Sequence, residues 1–210
     1  MTNDSRLELA NAMTHGLGSV LALGALVGML LMAARRGTSW HIISVAVFGA
    51  CLVLLYLMST LYHASRNPRA KPFLRILDHS AIFLLIAGTY TPFCLVTLRG
   101  PWGWSILGAN WGLAVLGVTL KALFGPRHPR LSLAIYLAMG WFMVVAIVPL
   151  LHALPRPGLL WLFGGGLCYT GGVVFYVWRS LRYNHAIWHL FVLAGSACHV
   201  AAVAGWVIPR

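Results

Sequence analysis

At 210 residues the chain is 60% hydrophobic and only 9% charged, where ordinary soluble domains carry about 25% charged residues. That leaves too little polar surface to clothe a soluble globule, so a soluble enzyme is excluded and an integral membrane protein is expected. The formal charge of +12 comes from 15 Lys and Arg against three acids; with no basic soluble domain to carry it, it reads as loop charge that meets anionic headgroups, making membrane lipids and not nucleic acid the expected partners.

Apolar runs of about 20 residues, each long enough to cross a hydrocarbon core roughly 30 Å thick, follow one another with short gaps. They predict helices over 14–34, 41–63, 78–98, 103–124, 131–152, 158–179 and 185–207, an all-α bundle forming one seven-helix transmembrane domain over residues 1–210. The runs are apolar on every side and do not alternate as barrel strands do. Ahead of the first run stand Asp4 and Glu8 where a secretion signal carries basic residues, so the first span is read as a permanent helix.

Ten of the 15 basic residues fall on one side: Arg6 at the start, Arg66, Arg69, Lys71 and Arg75 after the second span, Lys121, Arg127 and Arg130 around the fourth loop, Arg179 and Arg182 after the sixth span. The positive-inside rule then places the amino terminus in the cytoplasm and the carboxyl terminus outside. Cys51, Cys94, Cys168 and Cys198 are scattered one to a span with no CxxC pair, and read as small apolar packers.

With seven spans, the first helix begins, the second ends, and the third and seventh begin on the same face. Those four places hold the unusual residues: His15, Ser59 with His63, Asp78 with His79, and His185 with His189. His185 and His189 lie one helical turn apart on one face, able to bite one ion. With His63 as third ligand they would form the three-ligand zinc site that leaves a fourth position for water; the alternative is two hydrogen-bonded histidines at a helix start.

Beyond residue 8, Asp78 is the sole carboxylate. It reads either as a base or orienter for a zinc-bound water, or as a helix-start acid facing the positive end of the helix dipole beside Arg75. Ser59 shares the face of His63 and would donate to that water or to a substrate carbonyl, or bond back to its own helix. Glu8, Asn11 and His15 recur at i, i+3 and i+7 on one stripe, which suits either outer support of the cluster or capping and interfacial anchoring. His199 shares the face of His185 but lies about 15 Å deeper than His189. A buried interhelical hydrogen bond is expected there, with a substrate contact in a lipid-accessible cavity as the alternative.

The stretches ELANAMTHGLG, STLYHAS, LDHSAIFLLIAGTYTPF and HAIWHLFVLAGSACH occur in order along the chain. Together they resemble the signature blocks of the hemolysin III family, the bacterial branch of the progestin and adipoQ receptor superfamily. The resemblance implies a seven-helix bundle in a bacterial inner membrane, with zinc held near the cytoplasmic side by His63, His185 and His189, and with Asp78 holding the metal-bound water beside Ser59. It further implies a zinc-dependent hydrolase of a lipid amide or ester. A membrane-homeostasis sensor with structural zinc and a membrane-permeabilising haemolysin are the other classes that fit.

Overall fold

A computed structural model describes residues 3–209. Seven of its helices are long and apolar enough to cross a membrane, and no strand occurs among the described residues. The spans are built on α1 (Asn3–Arg36), α2 (Ser39–Ala64), α3 (Lys71–Pro92), α4 (Pro101–Phe124), α5 (Pro129–Trp141), which reaches spanning length only together with the segments that follow it to Ala153, α6 (Arg156–Val177) and α7 (Asn184–Ala202). Backbone polar groups have no water to bond in a bilayer core, and a helix satisfies them within itself.

Prolines and glycine punctuate the ends as their backbones require. Pro101, Pro129 and Pro157 stand in the first turns of α4, α5 and α6, where a missing N–H leaves nothing unpaired. Gly125 closes α4 at φ 65°, and its N–H takes the Lys121 carbonyl at 2.9 Å.

α1 begins well ahead of the apolar run, at Asn3. At 1.5 Å per residue it is roughly 50 Å long, so its first turns reach past the hydrocarbon core. Glu8, Asn11 and His15 are therefore all helical, and Asn11 and His15 are buried. The most extensive contacts join α1 to α2, α2 to α3 and α6 to α7, and α1 also meets α7. Gly18 permits the close approach of α1 to α2: a Cβ there would stand 2.6 Å from Cδ1 of Tyr56. The Tyr56 hydroxyl then reaches α7 and donates to Ser196 Oγ at 2.7 Å.

α5 packs more loosely, with only Ser132 and Met139 buried along it. It is also broken. Residues Phe142–Ala146 tighten into a 3-10 turn before the chain resumes as Ile147–Ala153. Pro149 has no N–H for the Val145 carbonyl, and its ring crowds that carbonyl, which loosens the ladder upstream. Tyr90 of α3 enters the break: its hydroxyl donates to the carbonyls of Met139 and Gly140, each at 2.7 Å, and accepts the Met143 N–H at 2.9 Å. Asn110 Nδ2 adds a bond to the Met139 carbonyl at 3.3 Å.

Tyr90→Phe removes this partner from the Gly140 carbonyl and the Met143 N–H, leaves the Met139 carbonyl to Asn110, and is expected to cost about 1–3 kcal/mol. A lowered thermal midpoint in detergent is the expected reading; an unchanged midpoint would show that the hydroxyl does not hold α5.

Candidate metal centre

The end of the bundle where α1, α3 and α7 begin and α2 ends gathers the histidines. One ring nitrogen from each of His63, His185 and His189 lies within 4.8 Å of the others. Ring centroids are 5.0 Å apart for His63–His185, 5.2 Å for His63–His189 and 4.5 Å for His185–His189. These three residues could hold a metal ion. The turn before α7 sets the pair in place: Tyr183 takes a left-handed φ of 60°, and Asn184 Nδ2 donates to the Phe175 carbonyl of α6 at 3.3 Å.

Outer partners decide which nitrogen two of the rings offer. Nδ1–H of His63 donates to Oε2 of Glu8 at 2.8 Å, while Oε1 of the same carboxylate accepts from Lys71 Nζ at 3.0 Å. That leaves Nε2 of His63 buried with no hydrogen-bond partner. His189 is set in the same way by Thr14. The hydroxyl of Thr14 lies 3.0 Å from Nδ1 of His189 and 3.0 and 2.9 Å from the carbonyls of Ala10 and Asn11. Its single proton serves those carbonyls, as in other helical threonines, so its oxygen accepts the His189 Nδ1–H and leaves Nε2 with a lone pair. A histidine whose second nitrogen is tied down in this manner is pre-oriented as a ligand. Both ties come from α1.

Nothing in the sequence singles out Thr14, which lies at the edge of the Glu8, Asn11 and His15 stripe. A threonine one residue before a candidate site histidine was the available signal. Asn11 contributes its backbone carbonyl to the Thr14 hydroxyl. His15 makes no hydrogen bond to the cluster. Its ring stacks on His189 at 3.5 Å with 14° between planes, edge-on to Tyr56 at 5.0 Å, and both its nitrogens are buried without partners.

Asp78 stands two turns into α3, buried, with Arg75 as a cationic neighbour but no salt bridge to it. Ser59 faces Asp78, yet its buried Oγ makes no hydrogen bond of ordinary geometry and does not bond back to α2. His199, deep in α7, donates its Nε2–H to the Leu162 carbonyl of α6 at 3.1 Å. Its ring lies over Gly165, where any Cβ would collide with it.

Ser59, Asp78, His15, His185, His189 and His199 all border one cavity of about 170 Å³. The rest of its wall is largely apolar, with Leu85, Ile86, Leu162, Phe163 and Val192 among the lining residues. Apart from the deeper His199, these ionisable groups thus gather toward one end of a pocket otherwise suited to hydrocarbon.

A seven-helix membrane protein with three clustered imidazoles at one end, beside an apolar cavity, is the class that fold and site define. The family model for haemolysin-III related proteins matches residues 4–200, and the chain belongs to that family, within the progestin and adipoQ receptor superfamily. It is 46% identical to Hemolysin-3 of Bacillus cereus over 209 residues, covering 100% of this chain and 95% of the relative. It is 47% identical to the Hemolysin-3 homolog of Bacillus subtilis (strain 168) over 190 residues, 90% of this chain and 89% of the relative. The human Monocyte to macrophage differentiation factor is 28% identical over 200 residues, 92% of this chain and 82% of the relative.

Proposed function

We propose that this chain is a zinc-dependent intramembrane hydrolase of a lipid amide or ester, with its site toward the cytoplasmic side of a bacterial inner membrane. The observation that carries the reading is the buried, unpartnered Nε2 of His63, close to nitrogens of His185 and His189, which themselves border an apolar cavity. An imidazole nitrogen left without a partner in a buried site is costly unless a ligand completes it. Three imidazoles suit zinc and leave one position open.

Bound zinc would supply a Lewis acid for the acyl carbonyl and acidify a water. The protein supplies the rest. His63, His185 and His189 would hold the ion, with Glu8 and Thr14 fixing two of the rings and His15 stacked on His189. Asp78, the carboxylate on the cavity wall, accepts a proton from the attacking water and returns it to the leaving nitrogen or oxygen as the acyl bond breaks. The Ser59 hydroxyl, uncommitted to its helix, is free to donate to the acyl oxygen. The apolar wall takes the acyl chain and excludes water.

The test is release of fatty acid from a panel of acylated amides and esters by purified protein carrying a full complement of zinc. Release that stops on chelation and returns with zinc is the expected result. No release from any member of the panel, together with a stability loss on chelation, would reassign the ion to a structural tie between α2 and α7.

A further inference from the structure

The apolar cavity accounts for a tail, and Lys121 accounts for a head. Counted by sequence among the loop cations, Lys121 in fact lies in the last turn of α4 and is only 5% exposed. A lysine at the end of a membrane helix ordinarily snorkels outward to the headgroups. Here the arrangement is reversed: Leu123 and Phe124 point outward, 70% and 52% exposed, and Lys121 turns inward to the cavity.

Lys121 makes no ion pair among the described residues, although Asp78 shares the cavity wall. The ion pairs among the described residues are His63–Glu8 and Lys71–Glu8, and the cationic neighbour of Asp78 is Arg75. The electrostatic neighbours of Lys121 are Arg75, which is exposed, and His79. His79 lines the cavity, presents a buried Nδ1 with no hydrogen-bond partner, and is within electrostatic reach of His185. Lys121 and His79 therefore lead along the cavity wall toward His185. Lys121 and Arg75 outnumber the one carboxylate on the cavity wall, Asp78; like charges repel, and an oxyanion reaching Lys121 would gain a charge-assisted hydrogen bond from it.

We propose that Lys121, with Arg75 and His79, is an oxyanion-binding mouth, so that the amphiphile entering the cavity is anionic: an acyl lipid headed by a carboxylate or a phosphate. This rests on the reading of the cavity as the lipid site, and it names the substrate class that site accepts.

The experiment measures binding, not turnover. Zinc-loaded full-length protein in detergent is titrated with two matched pairs, palmitate against methyl palmitate and dipalmitoyl phosphatidate against dipalmitoylglycerol, with affinity read by native mass spectrometry. The anionic member of at least one pair is expected to bind about tenfold tighter or more, the scale of a charge-assisted contact. Preference confined to the first pair assigns a carboxylate head, and preference confined to the second assigns a phosphate. Lys121→Gln is expected to erase most of the preference while affinity for the uncharged lipids and metal content stay unchanged; Lys121→Arg is expected to retain it. Equal affinity for charged and uncharged partners in both pairs overturns the proposal, and that comparison needs only the wild-type protein. So does a preference untouched by Lys121→Gln. An inactive protein that still selects anions would remove the hydrolase reading and leave this one standing.

Discussion

Replacing His189 with alanine is expected to empty the metal centre: purified protein should fall from about one zinc per chain to near none by elemental analysis. The loss is large because the ring has two partners at once. It offers one of three clustered nitrogens, and it is clamped between the Thr14 hydroxyl and the stacked face of His15. Two remaining imidazoles on separate helices make a weak chelate. Loss of an ion that binds only the folded state also removes its stabilisation, so the thermal midpoint should drop and become insensitive to chelator.

Changes one step further out grade the effect. Glu8→Gln and Thr14→Val leave all three ligands in place and are expected to weaken metal affinity about 10- to 100-fold. His199→Ala, whose ring bonds the Leu162 carbonyl far from the cluster, should leave metal content untouched. Undiminished zinc in the His189 variant would mean that these histidines do not share an ion.

Asp78→Asn separates chemistry from metal binding. The variant is expected to keep its zinc and lose about 10²- to 10⁴-fold in turnover, the usual worth of a positioned general base. Asparagine matches the size of the buried carboxylate but cannot accept the proton. No second acid lines the cavity to replace it. Ser59→Ala should act more mildly, about five- to tenfold, the scale of one net hydrogen bond. Assays at matched zinc content check both. Full turnover in the Asp78 variant would move the base elsewhere, and loss of zinc would instead make Asp78 part of the ligand set.

Much of this was legible in the order of residues. Apolar runs long enough to span a bilayer define the crossings, and the parity of seven crossings brings the ends carrying His63, Asp78, His185 and His189 to one face whatever the details of packing. Helical periodicity put His185 and His189 on one stripe and Glu8, Asn11 and His15 on another. These follow from the geometry of a single helix: 1.5 Å of rise and about 100° of turn per residue determine depth and face.

What one helix cannot specify is how it rotates against its neighbours. Thr14 supports His189, and His15 stacks on it instead of hydrogen-bonding, because Gly18 and Tyr56 set how α1 meets α2. Lys121 reads as a loop cation until the turn of α4 aims it inward and leaves Leu123 and Phe124 outside. The break in α5 has a visible cause in Pro149, but the hydroxyl that repairs it comes from Tyr90, far along the chain. Residue order thus determined the helices, their depth and the end where the polar groups gather. Only interhelical packing decided which side chains touch, since contacts between helices depend on rotation and close approach that no single helix encodes.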